Sequence, residues 1–289
     1  ANNPNLKSWV EVAQNSDFPI QNIPFGIFKT AQLSPRIGSR IGEFVVDLKS
    51  LFVLGYLENL PFEASDFSAN VLNPMMKKGK KATRDLRNRI SKLLDTIHKD
   101  LQNNQHHVDQ VLIPADQVEM LLPVQIGDYT DFYSSEQHAF NVGCLFRDPE
   151  NALMPNWKHI PVGYHGRSSS ILPSGIDFHR PKGQKKPPTA DVPVYGESNL
   201  LDFELETAFF TYDGKPLGES ITTEEADEYI FGMTLLNDWS ARDIQGWEYV
   251  PLGPFLGKNF ASHVSCWIVT LDALEPFRTS GPIQNPKVL

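Results

Sequence analysis

Apolar and polar positions alternate strictly around Phe203, Glu204, Leu205, Glu206 and Thr207, and a strand of period two puts both carboxylates on one face. Near the start, Phe25-Gly26-Ile27-Phe28, Arg40-Ile41-Gly42 and Phe44-Val45-Val46-Asp47-Leu48 form short strand patterns separated by Pro, Gly and Ser, which predicts a small β-barrel. Between Ala82 and Asn104, Leu86, Ile90, Leu93, Leu94, Ile97 and Leu101 recur at helical spacing, the clearest amphipathic helix in the chain. The QNNQHH run from Gln102 reads as an exposed loop holding His106 and His107, and it leads to a boundary near Pro114. From Met120 onward the pattern becomes strands joined by long Gly- and Pro-rich connections. PKGQKKPPTADVPVYG, from Pro181, reads as an ordered surface loop or flap. ITTEEADEYIFGMTLLNDWS begins with a Thr cap and an acidic first turn, predicting a short helix to about Tyr229 and then a strand ending at Asp238.

Composition narrows the function. The chain has 289 residues and 40% hydrophobic content, enough for one large or two ordinary domains. Its formal net charge of -9 argues against broad binding to nucleic acid or anionic membranes, and MMKKGKKATRDLRNR reads as a solvated helix face. No apolar run approaches the roughly 18 residues of a membrane span, and the polar start is no secretory signal, so cytoplasm is the expected compartment. Cys144 and Cys266, the two cysteines, fit a reducing environment and carry no assigned role. The Gly163 to Gly166 pair lacks the lysine and spacing of a phosphate-cradling loop.

The chemistry lies in carboxylates. Like charges brought together on a half-buried surface need a proton or a cation. Glu204 and Glu206 in LLDFELETAFF, Asp131 in GDYTDFYSSEQH and Asp238 in LLNDWSARD therefore form one candidate metal site. Oxygen-only ligands favour Ca2+ or Mg2+ over Zn2+. Each piece has a plainer reading: the glutamates as an exposed strand face, Arg242 and Asp243 as an ion pair, and His159, His165, His179 and His263 as structural histidines.

Taken together, GDYTDFYSSEQHAFNVGCLFR, NALMPNWKHIPVGYHGR, LLDFELETAFF and FGMTLLNDWSARDIQGWEYVPLGPFLGKNF resemble the fumarylacetoacetate hydrolase family, strongest from Gly127 to Phe260. The resemblance implies a mainly β protein: an SH3-like N-terminal barrel with a helical insertion over 1–120, then the first part of a mixed β-roll or β-sandwich catalytic domain over 121–289. It implies metal ligation by Asp131, Glu204, Glu206 and Asp238. A second ion would involve Asp238, the Lys258 backbone and Ser262, where a Thr is familiar in the family. His138 matches the general base, and Arg242, Gln245 and Lys258 match the groups around the developing anion. Tyr133, Arg147, Tyr164, Gln245 and Tyr249 match substrate contacts. The implied reaction is hydrolysis of the carbon-carbon bond of a β-diketo acid, 4-fumarylacetoacetate, to fumarate and acetoacetate in tyrosine and phenylalanine breakdown, by a cytoplasmic homodimer. Acylpyruvate hydrolases and oxaloacetate decarboxylases share the FELE and NDWSARD pieces, and an inactive structural relative or a fragment is the non-enzyme alternative. Family members continue past Leu289, so the resemblance also implies that later strands, a substrate-contacting hydroxyl and an acidic partner of the histidine lie beyond this sequence.

Overall fold

Phe25, Ile27 and Phe28 are fully buried on the first strand, and around them the N-terminal half condenses. The structure, a computed structural model, describes residues 1–160 and 162–287; the last two positions of the expected 121–289 domain fall outside them. Strands β1 (Phe25–Lys29), β2 (Arg36–Ile41), β3 (Phe44–Asp47), β4 (Leu112–Pro114) and β5 (Glu119–Leu121) form an antiparallel sheet in the order β4-β3-β2-β1-β5. Gly38 is required by a close approach, because a Cβ there would lie 2.7 Å from the Phe28 ring.

Helices α1 (Leu48–Val53), α2 (Ala64–Phe67), α3 (Asn73–Met76), α4 (Gly79–Leu94) and α5 (Gln105–Val111) belong to this half, so it is mixed where the sequence suggested mainly β with an insertion. The long helix buries Leu86, Ile90, Leu93 and Leu94 but stops at Leu94, ten residues before the expected end at Asn104. Asp95 turns extended, its carboxylate accepts from the Ile97 N–H at 3.2 Å, and Ser8 bridges to it. This local side-chain bond competes with the helical ladder, leaving Ile97 74% exposed. His106 and His107 are on α5 rather than in a loop, and His107 Nδ1 pairs with the Tyr56 hydroxyl at 2.7 Å.

In the second half β6 (Thr130–Tyr133) pairs with β7 (Val162–His165), and β9 (Lys182–Lys185) pairs with β10 (Val194–Glu197), so the expected flap is a two-stranded ribbon. The main sheet runs β12 (Leu205–Thr211), β13 (Ile230–Asp238), β15 (Ser262–Val264), β8 (Ile171–Pro173), with β16 (Val269–Thr270) also on β13. β11 (Leu201–Asp202) pairs with β14 (Ser240–Ala241). Helices α6 (Glu136–Phe146), α7 (Ala226–Tyr229), α8 (Arg242–Leu252) and α9 (Leu271–Leu274) complete it. The two halves meet where Phe25 and Ile268 exchange backbone hydrogen bonds of 3.0 and 2.8 Å, and where Lys80 pairs with Glu228 and Arg84 with Asp272.

Candidate metal centre

Register places the acids. Asp131 lies directly opposite Tyr164 in the β6–β7 pair, Glu206 opposite Leu236 in β12–β13, and Asp238 opposite Ser262 in β13–β15. Strand ends converge there, and one carboxylate oxygen from each of Asp131, Glu206 and Asp238 falls within 4.8 Å of the others. Asp238 is 1% exposed and the most heavily bonded: Ser262 Oγ donates to its Oδ1 at 2.9 Å, while Lys258 Nζ and the Tyr164 hydroxyl donate to its Oδ2 at 2.9 and 3.2 Å.

Glu204, the fourth expected ligand, has different neighbours from the other three. It shares the half-buried side of the 204–206 stretch with Glu206, but regular strand begins one residue later, at Leu205. Its carboxylate is taken by two cations, Lys258 Nζ and Arg242 Nη2, the latter at 2.7 Å. Arg242 also pairs with Asp202 at 2.9 Å and donates to Gln245 Oε1 at 3.0 Å. The Arg242–Asp243 pairing therefore does not form. Asp243 instead accepts from Ser198 at 2.6 Å and sits 3.5 Å from Lys185.

Proton affinities follow from these placements. Burial, reinforced by the charges of Asp131, Asp238 and Glu204, pushes the Glu206 carboxyl up to about 8. Burial also raises Asp131, against the hydrogen bond from Tyr164, with Asp238 adding repulsion. Glu204 moves the other way: burial opposes its charge, yet Lys258 and Arg242 hold it below the usual carboxylate range. Three carboxylates this close cannot all ionise at neutral pH without a counter-charge.

The residues present fit a hard cation. Every donor in the cluster is a carboxylate oxygen, and the buried Tyr129 and Tyr133 hydroxyls have no hydrogen-bond partner. Tyr129 is raised well above the usual phenol range by burial and then by the charges of Asp238, Asp131 and Glu206. It was not among the residues singled out from sequence, although its place two residues before Asp131 in an extended segment was a usable signal.

The other expected residues surround this centre unequally. Lys258, 7% exposed, joins Glu204 to Asp238, and Ser262 reaches the centre through Asp238. Tyr164 touches the acids directly, while Tyr133 follows Asp131 on β6. His138 is exposed on α6, where the Ser135 cap receives its N–H, and its ring meets Tyr133 edge-on at 4.7 Å between centroids. Arg147 ends that helix with its guanidinium on the Ala152 carbonyl at 2.7 Å, and burial and then the charge of Glu204 raise the Tyr133 phenol against the opposing charge of Arg147. Gln245 and the exposed Tyr249 are on α8 behind Arg242. Sequence reasoning also passed over Asp202, which holds Arg242, and Glu248.

Convergent carboxylates backed by lysine, arginine and tyrosine on short sheets define a β-rich domain with an acidic cluster suited to a hard cation. The chain belongs to the fumarylacetoacetate hydrolase family: residues 21–123 match the family described as fumarylacetoacetase N-terminal, and 129–281 match fumarylacetoacetate (FAA) hydrolase C-terminal. It is 51% identical over 285 residues to fumarylacetoacetase of Caenorhabditis elegans, covering 97% of this chain and 68% of that protein. Human fumarylacetoacetase is 50% identical over 283 residues, covering 98% of this chain and 68% of its own length.

Proposed function

We propose that this protein hydrolyses the carbon-carbon bond of 4-fumarylacetoacetate, giving fumarate and acetoacetate in the last step of tyrosine and phenylalanine breakdown. The observation that carries the reading is the cluster of Asp131, Glu206 and Asp238, flanked by Lys258 and Arg242, in a chain about half identical to fumarylacetoacetases over nearly its whole length. Asp131, Glu206 and Asp238 would hold a divalent cation, Ca2+ or Mg2+, which when bound supplies Lewis-acid polarisation of the substrate's oxygens. Glu204 serves that centre through the cations it fixes, and Ser262 and Lys258 through Asp238.

The chain's own residues divide the remaining work. His138 takes a proton from water as the water oxygen bonds to the ketone carbon of the fumaryl group. Arg242, Gln245 and Lys258 face the oxyanion that develops. The bond to the acetoacetate methylene carbon then breaks, its electron pair leaves as an enolate, and that enolate takes up the proton His138 had removed, which restores the base. Arg147, Tyr133, Tyr164 and Tyr249 orient the dicarboxylic substrate, with Arg147 suited to bidentate pairing.

The same reading takes 1–120 as an SH3-like domain and 121–289 as part of a β-roll catalytic domain, supported by the separate family matches and by the five-stranded N-terminal sheet. A homodimer is supported by the apolar outer side of β12 and β13, where Leu205, Phe209 and Leu235 are exposed, with Phe203 exposed just ahead of β12. Cytoplasmic residence is supported by two unpaired cysteines. Among the described residues no helix is long and apolar enough to cross a membrane.

The test is loss of fumarylacetoacetate absorbance with and without a chelator, beside acylpyruvate and oxaloacetate controls. Cation-dependent turnover of the first substrate alone is expected. Turnover of the controls only would overturn the substrate assignment.

A further inference from the structure

Glu248 makes a contact that the chemistry described above leaves unexplained. Its carboxylate, on α8, accepts three successive backbone N–H groups: Phe255 and Gly257 on Oε1, both at 2.7 Å, and Leu256 on Oε2 at 2.8 Å. Consecutive amides aimed at one point form an anion-binding concavity, and here a side chain of the same protein fills it. Charge-assisted bonds of this length are roughly twice as strong as neutral ones. The next residue is Lys258, whose Nζ reaches Glu204 and Asp238.

The neighbouring geometry points the same way. The Gly257 carbonyl accepts from Ala241 N–H at 2.8 Å, one residue before Arg242. A Cβ on Gly257 would lie 2.7 Å from the Gln245 Cβ and 2.9 Å from its backbone, so the loop backbone rests directly on Gln245. Glu248 thus ties the helix carrying Arg242, Gln245 and Tyr249 to the loop that delivers Lys258.

We propose that Glu248 is a positioning residue that clasps the 255–257 loop and thereby sets Lys258 in register with Arg242 and Gln245 against the substrate's developing negative charge. The role rests on the hydrolase reading of Lys258, whereas the clasp itself can be observed without substrate. Glu248→Gln keeps the shape but replaces one acceptor oxygen by a donor that opposes an amide N–H, and Glu248→Ala removes both acceptors.

The experiment compares both variants with wild type in the cation-loaded protein, by backbone amide exchange over 255–257 and by steady-state hydrolysis, alone and combined with Lys258→Met. Faster exchange at these amides is expected in both variants. A fall in kcat of about tenfold for Gln and about a hundredfold for Ala is expected with a smaller change in KM, as for a misplacement near 1 Å. In the Lys258→Met background the same changes should cost less than about threefold, because coupled residues are non-additive. Unchanged exchange in Glu248→Gln would overturn the clasp, and full multiplicative losses in the Lys258→Met background would overturn action through Lys258. If Glu248→Ala does not fold, the isosteric Gln variant decides both points. Absence of hydrolysis in wild type would count against the hydrolase reading, and the exchange result would still judge the clasp.

Discussion

Residues 10–124 and residues 129–281 are held together by different forces. In the first stretch Phe25, Ile27, Ile37, Ile41, Val46, Leu48 and Leu51 are fully buried in one apolar cluster, to which the second stretch contributes little beyond Phe231 and Ile268. In the second stretch, Asp238, Ser240, Lys258 and Ser262 are buried while Leu205 is 71% exposed. Apolar burial stabilises the first half at about 25 cal/mol per Å², and the charges buried there, Asp47, Asp66, Arg87 and Asp95, each have a separate partner of their own. The second half instead gathers like charges at one point, Asp131, Glu206 and Asp238, and so answers to protons and cations. Cohesion in one region leaves the other free to hold carboxylates that a well-packed core would neutralise.

The largest effect expected is at Asp238. Asp238→Asn removes the charge that Lys258, Ser262 and Tyr164 all address, so hydrolysis should fall by about a thousandfold or more, with divalent-ion affinity lost by calorimetry. The thermal transition of the N-terminal half should be little changed. Co-operative loss of both halves would show that the division is false.

Next comes the base. His138→Ala should lower kcat by about a hundredfold to ten-thousandfold while ion affinity persists. Ion loss in this variant, measured by the same titration, would make His138 a ligand or a structural residue. On the apolar side, Phe25→Ala should cost about 3–5 kcal/mol of unfolding free energy, read by denaturant titration, with ion affinity of the folded fraction kept.

Smaller effects separate the acids from one another. Glu204→Gln should weaken ion binding less than Asp238→Asn, because Glu204 is engaged by Lys258 and Arg242. Equal losses in the two titrations would return Glu204 to the ligand set. The pH dependence has a definite sign. Glu206 holds its proton up to about 8 in the folded protein against an ordinary value of 4.5, so the cation-free folded state binds a proton the unfolded chain has released. Cation-free stability should therefore fall as pH rises from about 4.5 to about 8. Glu206→Gln should flatten that slope, measured as midpoint against pH.

Much of this was legible in the sequence, for reasons that differ by residue. The strands beginning at Phe25 and Phe44 announced themselves by apolar runs between breakers, and Glu204 and Glu206 by their period. Asp131 and Asp238 stood out as acids in unusual surroundings, GDYTDFYSSEQH and LLNDWSARD, and the family resemblance implied the same two. The fate of Glu204 was not legible, because it depends on Arg242 and Lys258 arriving from 38 and 54 residues away. The end of α4 at Leu94 was hidden for a similar reason: the helical stripe continues past it, but Ser8 and the Asp95 side chain claim the backbone. Glu248 reads as an ordinary helix-surface acid until the loop amides close on it.

The central claim is that Asp131, Glu206 and Asp238 together bind a hard divalent cation. Calcium titration calorimetry near pH 7, run in buffers of different ionisation enthalpy, tests it most directly because it reports affinity and proton release together. The account predicts saturable binding that releases about one proton, the one Glu206 holds without a cation, with that release abolished in Glu206→Gln. Binding with no proton release, or affinity unaltered in both Glu206→Gln and Asp238→Asn, would contradict it.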